Sequence, residues 1–181
     1  DWSSDVCSSD LKFFLLSSIV FSLVACTQNP YKISNEAVGS LKKTDTLKNI
    51  LATLAADSIS IDSLRTGEIV GLSTFDTNKQ LSLKIRSNFY GLSEVVQVFD
   101  KRFTTPEGIG VGSTFADIQK KYNIIRITPS IRSVSIAVKD KPFIFLIDKK
   151  ELPESLRYSM QPLEAVQIDE NIPVSQVLVS W

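Results

Sequence analysis

Residues 104–122 read TTPEGIGVGSTFADIQKKY and place three of the chain's seven glycines, at 108, 110 and 112, directly ahead of a helix start. Thr114-Phe115-Ala116-Asp117 has the form of a capping box, a hydroxyl at the N-cap and a carboxylate three residues on, with Asp in place of the usual Glu or Gln. The helix it opens includes Ile118 and Tyr122. Three strand-like runs follow, NIIRIT, SVSIAVK and PFIFLID; a loop rich in Pro and charge, KKELPESLRYSMQPLEA, then leads to a last strand, PVSQVLVSW.

The same order occurs upstream. TDTLKNILATLAAD sets Leu47, Ile50, Leu51 and Leu54 at helical spacing, so a helix with one apolar face is expected from Thr44 or Thr46 to about Ala56. SISIDSL, GEIVGLSTF, LSLKIRS and SEVVQVF then read as strands; in the third, Leu81, Leu83 and Ile85 alternate with polar residues at the two-residue period of a half-buried strand. EAVGSL echoes EGIGVG, and the helices share Thr-apolar-x-Asn/Asp-Ile at 46–50 and 114–118, an offset of 68. Ser93-Glu94-Val95-Val96 echoes Ser175-Gln176-Val177-Leu178 at an offset of 82, the long 149–165 loop absorbing the difference. The chain thus reads as two tandem helix-plus-strands units, 35–103 and 104–181. This reading and an undivided domain both give an α+β fold of antiparallel sheet with short helices on one face.

The glycines invite a nucleotide reading, and their context removes it. A P-loop closes on Gly-Lys-Ser/Thr, whereas Gly112 is followed by Ser113-Thr114 with no Lys. A dinucleotide loop needs G-x-G-x-x-G in a βαβ unit; here the third Gly falls one residue early and the downstream strands read as antiparallel. Two expectations remain for Gly108, Gly110, Gly112, Ser113 and Thr114. The first is structural: Ile109 and Val111 alternate with bare backbone that another element can approach. The second is a small-ligand or anion site at the helix N-terminus.

The N-terminus carries the localisation reading. Residues 1–11 match the translation of a sequencing adapter and are set aside with Cys7. Lys12 and the 13 residues Phe13 to Ala25 have the charge and length of a signal peptide, being shorter than the ~20 residues of a spanning helix. Leu23-Val24-Ala25-Cys26 resembles the lipobox of bacterial lipoproteins, which implies cleavage before Cys26 and a lipid on its thiol. Thr27, where inner-membrane retention would place Asp, and the lack of an acidic cluster after Cys26 point to the periplasmic face of the outer membrane. Residues 26–34 read as a polar linker.

The stretch TxEGIGVGSTxxDIxKxY resembles a motif of uncharacterised bacterial lipoproteins without assigned activity. More distantly, the glycine turn, Thr and short helix are similar to the helix entry of small lipoproteins of the SmpA/OmlA type. That likeness implies helix-plus-sheet units of the kind found in β-lactamase-inhibitor-like folds.

Composition narrows the chemistry. The chain has no histidine, which removes Ser-His-Asp and Cys-His machinery and the commonest transition-metal ligand. With Cys26 lipidated, no thiol is left for zinc, and no run resembles a calcium loop, so neither metal nor cofactor is expected. From Cys26 onward, setting aside Lys12 and Asp1, Asp5 and Asp10, the net charge is +2, without the clustered basic charge of nucleic-acid binding. Asp57 with Asp62, or Asp140 with Asp148, could form a carboxylate pair, but each occupies a position where turns favour Asp. Phe89-Tyr90, Tyr158 with Met160, and Trp181 are candidates for a protein-binding patch. The expectation is a non-enzymatic, membrane-tethered domain that binds another envelope protein or acts structurally.

Overall fold

The computed structural model describes residues 29–53, 59–64 and 66–181. Cys7, the expected signal peptide, Cys26, Asp57 and the residues after Thr53 over which the first helix is expected to run lie outside the described residues.

The chain opens with a two-stranded hairpin, β1 (Ala37–Val38) and β2 (Leu41–Lys42), followed by α1 (Leu47–Thr53). Four strands succeed it: β3 (Ile59–Ser63), β4 (Ile69–Phe75), β5 (Leu81–Ser87) and β6 (Ser93–Val98). Then come α2 (Phe115–Lys121), β7 (Ile124–Pro129), β8 (Ser133–Val138) and β9 (Phe143–Asp148). The segment expected to be loop holds two 3₁₀ turns and a short helix, α3 (Glu154–Arg157), before β10 (Val174–Ser180).

All of β3 to β10 join one antiparallel sheet in the order β3-β4-β5-β6-β10-β9-β8-β7. Each half is a run of hairpins, and β6 pairs with β10 at the centre, Val96 opposite Val179 and Val98 opposite Val177. Alternation sends one side of every central strand inward: Leu83 and Ile85, Val96 and Val98, Val177 and Val179, Phe143, Phe145 and Ile147 are buried. Onto this face pack Leu47 and Ile50 of α1 and Phe115 and Ile118 of α2, so the helices share one face as the pattern predicts. Each such side chain contributes about 1.5–3 kcal/mol by leaving water. On the other face, Lys84, Gln97, Leu178, Ile144 and Ala137 are only half-buried. The 149–172 segment closes the core from one end through Leu152, Leu163, Ile168 and Ile172.

The two halves repeat particular contacts. Thr46 Oγ1 accepts from Asn49 N, and Thr114 Oγ1 from Asp117 N, both at 3.2 Å. Leu47 N donates to Gly91 O as Phe115 N does to Ile172 O, and Ser93 N donates to Asp45 O as Val174 N does to Ser113 O. These contacts keep the helix offset of 68 but set the last strands 81 apart, not 82. Burial agrees: at 81, inward Val96 and Val98 fall on inward Val177 and Val179, whereas at 82 Val96 would fall on half-exposed Leu178. A one-residue slip exchanges the faces of a strand, so the Ser-x-Val echo is one residue out of register.

The linker reading of residues 26–34 fails from Tyr31 onward. Ile33 is 0% exposed, its N–H donates to Thr104 O at 2.8 Å, and Thr104 N donates to Tyr31 O. Arg102 lies 4.4 Å over the Tyr31 ring, donates to its hydroxyl and pairs with Asp100, whose carboxyl this guanidinium holds below the usual range. An isolated Ile in a polar run gives no periodicity, yet here it anchors the lead-in to the core.

Candidate functional site

The glycine turn is an occupied piece of architecture. Gly108 N donates to Thr105 O at 2.9 Å, Ile109 N to Thr105 Oγ1 at 3.1 Å and Gly110 N to Ser113 Oγ at 3.1 Å. Gly112 N donates to Val174 O at 2.8 Å, Ser113 N to Gly110 O at 3.2 Å and Thr114 N to Asp117 Oδ2 at 2.9 Å. At the helix entry, Phe115 N and Ala116 N donate to Ile172 O and Glu170 O. The anion reading of Gly108, Gly110, Gly112, Ser113 and Thr114 therefore loses its donors: Thr105, Gly110, Ser113 and Asp117 take the amides of the turn, and the 170–174 segment takes those of Gly112, Phe115 and Ala116. The expectation of an extended stretch also changes: left-handed backbone at Gly108 (φ 84°) and Gly112 (φ 91°) turns the chain. Gly110 has a different reason. A Cβ there would collide with the Phe103 carbonyl oxygen, so the element passing beside the bare backbone is the one that leads out of β6.

A polar cluster that the sequence reading passed over fastens this turn to the sheet. The Tyr122 hydroxyl donates to Glu107 Oε2 and lies 2.8 Å from Thr105 Oγ1, and Lys141, from the β8–β9 turn, reaches Glu107 Oε1 at 3.4 Å. Burial works against the Glu107 charge, but the Tyr122 hydrogen bond, a backbone N–H and Lys141 outweigh it and hold the carboxyl below its ordinary range. Burial, with the same hydrogen bond, pushes the Tyr122 phenol up. The Tyr122 ring stacks edge-on to Phe143 at 5.7 Å and tilted against Phe145 at 5.6 Å. Glu107 and Tyr122 both lie in the opening motif; their pairing depends on α2 folding back over the turn, which spacing does not disclose.

The other candidates are dispersed. Asp140 and Asp148 bracket β9, and Asp148 caps the 3₁₀ turn after it by accepting from Lys150 N at 2.9 Å, so the two form no carboxylate pair. Asp62 lies on the exposed edge strand β3, with Asp57 outside the described residues. Among the described residues, no group of three or more Cys, Asp or Glu could hold a metal ion. Phe89 and Tyr90 stand 92% and 82% exposed at the β5–β6 turn, ring centroids 5.7 Å apart. Tyr158 and Met160 sit in the segment after β9, at the other end of β10, about 20 Å away at strand rise. Trp181 is partly buried against the core, its backbone N–H donating to Glu94 O and its indole Nε1 buried without a protein partner among the described residues. Tyr158 and Met160 are thus apart from Phe89 and Tyr90, while Trp181 lies at the same end of the sheet as the 88–92 turn but is packed against the core. Beside Phe89 and Tyr90 a cleft of about 730 Å³ runs past Thr46, Lys48, Glu68 and Ile69.

A solved structure shares this fold. The crystal structure of the uncharacterized protein yfeY from Escherichia coli superposes with a TM-score of 0.60 at 17% identity, covering 83% of this chain and 99% of that one. At that identity the likeness concerns the fold alone. No protein-family model and no curated protein matches the sequence.

Proposed function

We propose that the chain is a lipid-anchored protein on the periplasmic face of the outer membrane, non-enzymatic, that binds another envelope protein through its exposed aromatic turn. One observation carries the binding reading: Phe89 and Tyr90 are almost wholly in water, make an edge-on pair and border a cleft large enough for side chains of a partner. Residues whose only work was packing would not be held at a hairpin tip. The lipobox at Leu23–Cys26 supports the anchor, and the position of the lead-in gives it a direction. Tyr31 is fixed beside Asp100 and Arg102, past the end of β6, whereas Phe89 and Tyr90 precede its start. The five residues from Cys26 to the pinned Tyr31 span at most about 18 Å, so the tether leaves from the end opposite the aromatic turn, which faces the periplasm.

In the same reading the body is a fused pair of helix-plus-four-strand units related by a two-fold axis through the β6–β10 pair. The mirrored strand order, the two threonine caps and the recurring contacts to 91–93 and 172–174 support it.

A photo-crosslinking residue at position 89 in cells tests the binding claim. A discrete adduct of defined mass is expected from position 89 and none from position 79, on a turn at the other end of the sheet. Equal labelling from both positions, or none from 89, contradicts it.

A further inference from the structure

We infer that the cleft between the β7–β8 turn and the segment after β9 is a binding site for a phosphate monoester or diester. The cleft has a volume of about 420 Å³, within the range of small-molecule sites. Arg132, Lys149, Lys150 and Arg157 line it, with Asp148 as the single acidic residue.

Two of these cations are in an unusual state. Lys149 is 4% exposed, and its ammonium group meets only the Ser159 carbonyl at 2.7 Å and the Met160 sulfur at 3.7 Å, with no carboxylate within ion-pair distance among the described residues. Arg157 spends one nitrogen on the Lys150 and Leu152 carbonyls at 3.1 Å each, while its Nε is buried without a partner. Burying a cation without a counter-charge, or an N–H without an acceptor, is costly, and an anion in this cleft relieves both. Arg132 and Lys150, at the exposed rim, make no side-chain hydrogen bond or ion pair with described residues. Four cationic groups against one carboxylate leave the cleft a net positive site for an oxyanion, and guanidinium groups match phosphate oxygens in pairs. The volume exceeds what the anion itself fills, and exposed Ile131 and Tyr158 at the rim offer apolar surface to an ester's organic part.

Phosphate esters come to such a site as soluble metabolites or as lipid headgroups. The cleft lies where β9 ends and β10 begins, the end of the central strands from which Tyr31 also leaves. The headgroup source rests on the proposed lipid anchor; the phosphate chemistry does not.

The full chain in non-ionic detergent is titrated calorimetrically with inorganic phosphate at constant ionic strength, with chloride as the control. Saturable one-to-one binding is expected, weakened about tenfold or more in an Arg132→Gln/Lys150→Gln variant with an unchanged melting temperature. No saturable binding, or equal affinity in the variant, overturns the site. A second arm uses the Cys26→Ala chain with vesicles of phosphatidylcholine alone or with phosphatidylglycerol. Capture by the anionic vesicles that R132Q/K150Q abolishes assigns a headgroup. Phosphate binding without vesicle preference assigns a soluble ester. If the wild-type chain carries no lipid on Cys26, the anchor reading fails while the phosphate titration still decides the site.

Discussion

Gly110→Ala probes the reason for the bare backbone at the centre of the opening motif. The new methyl would sit against the Phe103 carbonyl oxygen, well inside the 3.0 Å that Cβ atoms keep from other atoms. That carbonyl has little room to yield. Phe103 N donates to Asp100 O, the next residue is hydrogen-bonded to Tyr31, and the buried Phe103 ring stands edge-on to Tyr31 at 5.1 Å. Overpacking of this kind costs about 3 kcal/mol, the upper part of its usual range. In a domain of this size that lowers the melting temperature by about 6–12 °C. Gly108→Ala is the control: its φ is +84° but nothing lies within 4 Å of the added methyl. Only backbone strain of about 1–2 kcal/mol is incurred there. Thermal melts of both variants followed by circular dichroism decide the matter. If Gly110→Ala is no less stable than Gly108→Ala, close approach of the Phe103 segment is not why Gly occupies position 110.

Tyr122→Phe leaves Glu107 without its hydroxyl donor and should cost about 1–3 kcal/mol, read from urea midpoints. Because the folded state holds Glu107 charged to lower pH than the unfolded chain does, its contribution is present above the unfolded value of 4.5 and is lost as pH falls through the folded one. The gap between wild type and Glu107→Gln should accordingly close on acidification; a gap constant with pH contradicts the latch. The raised phenol of Tyr122 acts at the other limb, losing stability as pH rises past its ordinary value of 10.0. Thr114→Ala removes the cap of α2 and should destabilise by about 1 kcal/mol, with Thr114→Ser recovering most of it. Phe89→Ser/Tyr90→Ser should leave stability within about 0.5 kcal/mol, the range of ordinary surface changes, while displacing a bound partner from the 89 turn.

The strands were legible because a sheet with one covered face imposes alternation, which LSLKIRS and SVSIAVK carry nearly without interruption, while PFIFLID reads as a strand from its short, β-branched and aromatic apolar run. The start of α2 was legible through Thr114 and Asp117, since capping is local chemistry, whereas that of α1 was narrowed only to Thr44 or Thr46, of which Thr46 is the cap. What escaped notice depends on distant parts of the chain meeting. Tyr31 and Ile33 belong to the fold only because Thr104 lies alongside them. The Ser-x-Val echo at an offset of 82 is one residue out, since sequence similarity alone does not show that Val96 is inward and Leu178 half-buried. The glycines were legible as architecture but not in their particulars, for the Phe103 carbonyl meets Gly110 only through the turn that brings Thr104 opposite Gly110, and the 170–174 carbonyls that take the Gly112, Phe115 and Ala116 amides are distant in sequence. KKELPESLRYSMQPLEA reads as a loop rich in Pro and charge, and nothing in that pattern marks Lys149 as buried.

The tether is the claim on which the orientation of the whole molecule depends. Metabolic labelling with a palmitate analogue, followed by intact-mass analysis of the mature chain, examines it directly. The account predicts a label on the wild-type chain, a mature N-terminus at Cys26 bearing the lipid, and no label on Cys26→Ala. An unlabelled wild-type chain, or one whose mature N-terminus lies elsewhere than Cys26, would contradict it.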